Sequence, residues 1–416
     1  MRPHGRRVPK RAPVAHRPKP LALLLTILLT AALAGCITPG RGAAVPDELT
    51  AQAQPVIPNV RYWPTRDPDV LVRAAAASVE REKAWLASQG PGAHPEPITF
   101  LAVSGGAEEG AFGAGLLVGW SETGTRPEFR AVTGISTGAL IAPFAFLGPR
   151  YDPVLEATYT EVSRRDIFRR RAITAAVLDD AMADTAPLAA LIDRYVTPEV
   201  LDEIAAEYAK GRLLFVGTTD LDAREPVIWD MTAIAASRDP HALELFRKVM
   251  LASASIPGAF PPVMIDVTVD GRRYQEMHVD GGVAHQVFLY PSSFRLTPFV
   301  WAPDRPRTVY VIRNARLDPD WSRIDRRTLT IAGRSVGALI HSQGMGDLTQ
   351  IYLLARRDGV DFKLAYIPPS FDVPKRTDFD TEYMRALFAY GHDLARTGDP
   401  WHDLPPDYPV SPSPAP

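Results

Sequence analysis

The sequence predicts an α/β sandwich with a mostly parallel central sheet. Two consecutive segments, 98–120 and 129–148, each run from a short apolar strand through a glycine-containing turn into an apolar helix. Strands that alternate with helices in this way are typical of a parallel sheet covered by helices. The composition allows such a core, because 46% of the 416 residues are hydrophobic.

The remaining elements follow from helical spacing and from β-rich apolar runs. Ahead of the two units, Asp67-Pro68 supplies a cap and a first-turn proline for a helix that ends at Gly90. Apolar runs predict further strands at 213–218, 227–229, 308–313 and 362–367. Helical spacing predicts helices at 198–210 and 242–252, and a helical C-terminal extension with helices at 327–356 and 381–396.

The first 35 residues have the pattern of a targeting segment. They carry seven Lys or Arg, no acid, and an apolar run at 21–35 that is shorter than the roughly 20 residues needed to span a bilayer. The segment Leu33-Ala34-Gly35-Cys36 resembles the lipobox of bacterial lipoproteins, which implies cleavage before Cys36 and lipid on its thiol. We therefore expect a lipid-anchored protein of the bacterial envelope, on the outer membrane facing the periplasm, with the inner membrane left open as the alternative. An ordinary signal peptide with an incidental cysteine, and twin-arginine export through Arg6-Arg7, remain open.

Composition excludes several classes of function. After residue 35 the chain has 39 basic and 48 acidic residues, which disfavours nucleic-acid binding. A single cysteine excludes intrachain disulfides and Cys-rich metal sites. A Walker A loop and a His-Glu-x-x-His metal motif are also absent from the sequence, so no cofactor or metal is expected.

A possible nucleophile lies in Gly134-Ile135-Ser136-Thr137-Gly138, between a predicted strand and a predicted helix. Flanking glycines allow a serine to occupy a strained turn with its hydroxyl exposed above the helix N-terminus. The alternative is a plain turn in which Ser136 caps the helix.

Two further segments have the residues that acyl transfer needs. The glycine-rich segment 104–110 can direct backbone N–H groups at a developing oxyanion, although it can equally be a tight turn without a ligand. Asp280-Gly281-Gly282 can present a carboxylate at a turn, and the alternative is an exposed turn.

Together the three segments resemble the patatin-like phospholipase family over about 98–313, in both order and spacing. The resemblance implies a three-layer α/β/α sandwich and a hydrolase of lipid or phospholipid acyl esters that uses a Ser-Asp dyad without histidine. Protein partners are left open. Carried over residue by residue, it implies Ser136 as nucleophile, Asp280 as base, an oxyanion hole at Gly105, Gly106 and Ala107, an elbow framed by Gly134 and Gly138, and a motif completed by Gly281 and Gly282.

Two positions depart from the family pattern. Ala107 replaces the third glycine of the loop, and Glu109 replaces a residue that is commonly basic. Alanine still has an N–H to donate, so we expect the oxyanion hole to survive, whereas Glu108 and Glu109 would repel an anionic head group. An inactive lipoprotein of the same fold, serving as a binding or scaffold protein at the envelope, is the alternative hypothesis.

The mechanistic rival is an α/β-hydrolase with a Ser-Asp-His triad, because five histidines follow Ser136: His278, His285, His341, His392 and His402. In that fold several strands precede the nucleophile strand, whereas here the sequence predicts one. We expect His278 to pack beside the Asp280 turn and Asp220 to be a hydrogen-bonding residue at a strand end.

The predicted organisation has six parts. They are a signal peptide at 1–35, a tether at 36–66, a helix and loop at 67–97, a catalytic domain at 98–315, the C-terminal extension at 316–400 and a Pro-rich tail at 401–416.

Overall fold

A computed structural model describes residues 40–171, 180–318, 321–406 and 408. The predicted signal peptide, Cys36 and the end of the predicted tail lie outside these residues. Within them, no helix is both long and apolar enough to cross a membrane.

The described residues form eleven strands and eleven α-helices. The strands are β1 (Arg61–Tyr62), β2 (Ile98–Val103), β3 (Ala131–Ile135), β4 (Arg169–Arg170), β5 (Ala183–Asp184), β6 (Leu213–Asp220), β7 (Glu225–Asp230), β8 (Val263–Val269), β9 (Arg272–Asp280), β10 (Arg307–Arg316) and β11 (Asp361–Ile367). The helices are α1 (Asp69–Ser88), α2 (Gly110–Glu122), α3 (Thr137–Leu147), α4 (Asp152–Thr160), α5 (Arg164–Ile167), α6 (Ala186–Tyr195), α7 (Pro198–Ala209), α8 (Met231–Ala236), α9 (Ala242–Ser253), α10 (Thr328–Asp358) and α11 (Thr381–Thr397).

Nine of the strands form one sheet, and seven of them lie side by side in the order β1-β7-β6-β3-β2-β10-β11. The five strands from β6 to β11 in that order are parallel, whereas β7 and β1 are antiparallel at the other edge. The hairpin of β8 and β9 joins the sheet where β9 pairs with the end of β6. The predicted mostly parallel sheet is confirmed.

The sheet is covered on both faces, which gives the three-layer sandwich. Alternate residues of β2 enter two different cores: Leu101 and Val103 pack on one face, and Phe100 and Ala102 on the other. Every residue of β2 is buried, as expected for a central parallel strand.

The C-terminal extension is part of the same body. Its strand β11 pairs with β10 at the edge of the sheet. Its helix α11 packs backbone to backbone against α2, because a Cβ at Gly115 would lie 2.0 Å from the Phe388 carbonyl oxygen and one at Gly119 would lie 2.2 Å from that of His392. The glycines of α2 thus allow this helix pair to form.

The interpretation of 36–66 as a tether is wrong for the described residues 40–66. Ile57, Val60 and Trp63 are buried in the core, and β1 pairs with β7. Arg41 also forms a bidentate ion pair with Asp222 at 2.7–2.9 Å. Proline and glycine content suggested a linker, but sparse apolar side chains are enough to hold an extended segment on a preformed surface.

Candidate active site

The three predicted segments meet at one edge of the sheet. The glycine loop follows β2, Ser136 follows β3, and Asp280 is the last residue of β9. Because β2 and β3 are parallel neighbours, their carboxyl ends lie side by side, where sites of α/β folds are commonly built.

Ser136 occupies a strained turn between β3 and α3. Its φ of 54° and ψ of −123° are unfavourable for a residue with a Cβ, and such strain is concentrated at functional sites. The predicted turn over 134–138 is shorter in the structure, because β3 continues to Ile135 and the helix begins at Thr137. Ser136 therefore lies at the N-terminus of α3.

The flanking glycines are required by close backbone contacts. A Cβ at Gly134 would lie 2.4 Å from the Gly138 carbonyl oxygen, and a Cβ at Gly138 would lie 2.2 Å from that of Val103. No side chain fits at either position without moving backbone, so the motif holds the turn tightly against β2.

Ser136 and Asp280 are in direct contact. The Ser136 hydroxyl donates to Oδ2 of Asp280 over 2.6 Å, and the Gly282 N–H donates to Oδ1 over 2.7 Å. Both side chains are buried, with residue exposures of 6% and 5%. Burial raises the pKa of Asp280 to about 6, and the hydrogen bonds from Ser136 and Gly282 limit the rise. A carboxylate with this pKa can accept a proton from a serine hydroxyl near neutral pH.

The position of Ser136 depends on a second serine, which the sequence analysis missed. The Ser136 N–H donates to Oγ of Ser253 over 3.0 Å, and the Ser253 hydroxyl donates to the Gly217 carbonyl over 2.7 Å. Ser253 ends α9, and the link between distant segments gives no local sequence signal.

The glycine loop differs from its prediction at Gly105. The Gly105 N–H donates to the Gln286 carbonyl over 2.9 Å, so its assignment to the oxyanion hole is wrong in this conformation. Gly106 and Ala107 remain as donor candidates, since neither N–H has a hydrogen-bond partner among the described residues. Only glycine fits at position 106, because a Cβ added there would lie 2.1 Å from the Asn314 carbonyl oxygen.

Residues at the end of β10 hold the loop, and the sequence analysis did not identify them. Arg313 is buried and donates to the Gly105 carbonyl over 3.1 Å, while the Asn314 side-chain amide donates to the Ser104 carbonyl over 3.0 Å. The Asn314 carbonyl group of the side chain also accepts from the Gly113 N–H over 3.0 Å. The parallel pairing of β10 with β2 brings these side chains to the loop.

Ala107 has a φ of 50°, in the left-handed region that favours glycine. We expect Ala107→Gly to raise the free energy of unfolding by about 0.5–1 kcal/mol. Glycine relieves about 1–2 kcal/mol of backbone strain in the folded protein, and its greater conformational entropy stabilises the unfolded chain by about 0.4–1 kcal/mol. Urea unfolding measures the change. The control is Ala76→Gly, at an exposed position in α1, where a loss of about 1 kcal/mol is expected. A similar loss at both positions would contradict the strain argument.

The acidic residues of the loop are less repulsive than the sequence suggests. Glu108 forms an ion pair with Lys375 at 2.8 Å, and Glu109 lies 3.8 Å from the same ammonium group. Burial raises the pKa of Glu109 to about 7, although Lys375 lowers it. One lysine thus compensates much of the negative charge.

Histidine is not part of this contact. Among the described residues, no histidine hydrogen-bonds to Ser136 or Asp280. His278 is fully buried between Thr218 and Glu276, at 2.9 and 3.0 Å, within the strand that ends at Asp280. The other four candidates from the triad hypothesis have partners elsewhere or lie on the surface: His285, His341, His392 and His402.

Asp220 accepts from the N–H groups of Asp222 and Ala223 at the end of β6, so it is the strand-end hydrogen bonder that was predicted. Together with Glu276 and His278 it is the one group of the described residues whose spacing could suit a metal ion. Arg61, however, already donates to both Glu276 oxygens, so a cationic group occupies this position. The donor set does not favour a metal.

An apolar cavity opens beside Ser136. Its volume is about 70 Å³. Its walls are mainly aliphatic and aromatic: Leu140, Phe144, Leu188, Ile192, Met250 and Phe260. Phe379 and Met384 complete it from the C-terminal extension, beyond the segment on which the family resemblance rests.

Comparison with protein-family models identifies one match: residues 101–291 match the patatin-like phospholipase family. No curated protein matches the chain.

Three solved structures show low similarity. VipD from Legionella pneumophila has 12% identity and a TM-score of 0.32, with 72% of this chain and 66% of that chain covered. Human GIVD cytosolic phospholipase A2 has 10% identity and a TM-score of 0.31, with 70% and 53% covered. The same human enzyme in complex with methyl gamma-linolenyl fluorophosphonate has 10% identity and a TM-score of 0.30, with 81% and 64% covered. This chain thus spans between about half and two thirds of the length of these proteins.

Proposed function

We propose that the protein is a serine hydrolase of lipid acyl esters, held at the bacterial envelope through Cys36, and the match of residues 101–291 to the patatin-like phospholipase family supports the proposal. The contact of 2.6 Å between the Ser136 hydroxyl and the buried Asp280 carboxylate carries the proposal. The two groups have the separation that a nucleophile and its general base need.

In the proposed reaction, Asp280 takes the hydroxyl proton while Ser136 Oγ bonds to the ester carbonyl carbon. The N–H groups of Gly106 and Ala107 stabilise the negative charge on the carbonyl oxygen. The intermediate collapses as the ester C–O bond breaks, and the leaving alcohol takes the proton from Asp280. Water then gives a proton to Asp280 and attacks the acyl group, and Ser136 recovers its proton as the fatty acid leaves.

The apolar cavity supports an acyl chain as the part of the substrate that is bound. Leu188, Ile192 and Phe260 offer no charge to a head group, and burying each CH₂ of a chain stabilises the complex by about 0.8 kcal/mol. We expect kcat/KM to rise with acyl length until the cavity is full, which a series of p-nitrophenyl esters would measure.

The proposed anchor places the body close to the membrane. Arg41 is fixed by Asp222, and Cys36 lies five residues before it, so the two are at most about 18 Å apart. Metabolic labelling with a palmitate analogue tests the anchor, and Cys36→Ser should abolish the label while leaving esterase activity intact.

The pH dependence of kcat/KM tests Asp280 as the base. A base must be deprotonated, so kcat/KM is expected to rise with pH and to level off above the pKa of about 6. Below that pH it should fall about tenfold per unit. A profile that stays flat down to about pH 4 would contradict the assignment, because an ordinary aspartate titrates there.

A fluorophosphonate probe tests the proposed function as a whole. The hydrolase should be labelled covalently, and pre-incubation with a long-chain ester should slow the labelling. Well-folded wild-type protein that takes no label, and releases no fatty acid from phospholipid vesicles, would support the inactive scaffold instead.

A further inference from the structure

The first half of α10 is exposed. From residue 330 to 342 every residue is exposed, apart from Arg334, which is partly exposed. The helix is 31 residues long, and its buried contacts begin only at Gly344. In proteins most helical stability comes from packing of an amphipathic face, so a surface that covers the exposed half would stabilise it.

Three exposed apolar side chains of this segment of α10 share one face, whereas Ile331, which is 50% exposed, lies on the side opposite Ile340. At 100° per residue, Val336, Leu339 and Ile340 share one face, with exposures of 54%, 70% and 42%. Thr330 and His341 lie on the opposite face. Trp321, just before the helix, is 86% exposed, which adds an aromatic side chain of the kind enriched at membrane interfaces.

The segment is also basic, although the chain after residue 35 has more acidic than basic residues. Between 321 and 346 the sequence has four arginines, Arg323, Arg326, Arg327 and Arg334, and one acid, Asp325. An apolar face flanked by arginines is the pattern of helices that lie in the interface of anionic bilayers. A second copy of the same helix would instead bring like charges together.

The exposed half of α10 leaves the body beside the candidate active site. The Gln343 side chain donates to the Ala284 carbonyl over 2.5 Å, and that of Gln286 donates to both Gln343 and Gly282. Gly282 in turn donates to Asp280. Val283, in the same turn, is 47% exposed. These hydrogen bonds therefore connect α10 to the turn that carries Asp280.

We infer that the first half of α10 is an interfacial helix that binds the surface of an anionic phospholipid bilayer and holds the active-site edge against it. The helix lies in the surface rather than crossing it, since no described helix is apolar enough to span. The inference rests neither on lipid at Cys36 nor on ester hydrolysis, so its test is separate from that of the proposed function.

The single cysteine makes a site-specific test possible. In the full chain with Cys36→Ser, either Leu339→Cys or Thr330→Cys supplies one thiol for a polarity-sensitive NBD fluorophore. The two positions are nine residues apart and so lie on opposite faces. Both proteins share every other membrane contact, which makes Thr330→Cys the matched control. Circular dichroism verifies that both are folded.

With vesicles of equal parts phosphatidylcholine and phosphatidylglycerol, the label at 339 should shift to shorter wavelength and become protected from iodide, while the label at 330 should stay exposed. Vesicles of phosphatidylcholine alone should give a weaker response. Replacing Arg323, Arg326 and Arg327 by glutamine should weaken the partitioning of residue 339 into the anionic vesicles by about 100-fold, at about fivefold per arginine.

Equal responses at 330 and 339, or no response at either, would overturn the inference. A spectral shift at 339 that grows with protein concentration in the absence of vesicles would overturn it in favour of self-association. Only a lipid-dependent, one-sided response supports it.

Discussion

Replacing Ser136 by alanine is expected to lower kcat for ester hydrolysis by about 10⁴- to 10⁶-fold and to abolish fluorophosphonate labelling. Without Oγ no acyl-enzyme can form, and the residual rate comes from bound water and the oxyanion hole alone. Steady-state hydrolysis of a p-nitrophenyl ester and gel fluorescence of the labelled protein measure the two effects.

Ser88→Ala is the matched control, because Ser88 is an exposed serine at the end of α1. It should leave both rate and labelling unchanged. Ser136→Ala keeps a Cβ at the strained turn, so its circular dichroism should match that of wild type. Labelling of the Ser136→Ala protein at the wild-type rate would show that another residue is the nucleophile.

The sequence predicts the fold well because strand, turn and helix follow from local patterns. Strand, glycine turn and helix follow each other twice, and the same glycines that identify the motif are those whose missing side chains allow close backbone contact at Gly134 and Gly138. The predicted pairing of Ser136 with Asp280, 144 residues apart, came from a family resemblance and could not be derived from spacing.

The hydrogen bonds that position Ser136 and the glycine loop could not be predicted, because they join segments that are distant in the sequence. The Gln286 carbonyl accepts a hydrogen bond from the Gly105 N–H, and Arg313 donates to the Gly105 carbonyl. The Ser253 hydroxyl accepts from the Ser136 N–H. None of these residues lies in a motif. The error at 40–66 has a similar origin, because the burial of Trp63 depends on a surface assembled from later parts of the chain.

Replacing Asp280 by asparagine is expected to have opposite effects on activity and stability. The rate should fall by about 10⁴-fold, as expected when a catalytic carboxylate becomes an amide of the same shape. The free energy of unfolding at pH 7.5, in contrast, should rise by on the order of 2–3 kcal/mol. Burial raises the pKa of Asp280 from 3.8 to about 6, so the folded protein bears the cost of an ionised, desolvated carboxylate that the unfolded chain does not.

The pH dependence of that stability difference separates this explanation from a general improvement in packing. A group with a raised pKa stabilises the folded state most where it is protonated in both states, below about pH 4, and loses this contribution as pH rises through about 6. Urea unfolding should therefore show wild type and Asp280→Asn nearly equal at pH 4, diverging up to pH 6 and differing by a constant amount above it. Asp202→Asn, at an exposed position in α7, should show no such divergence. An Asp280→Asn protein that is less stable than wild type at pH 7.5 would mean that the carboxylate is held by more favourable contacts than those with Ser136 and Gly282, and Asp280 would then be unsuited to accept a proton from the serine.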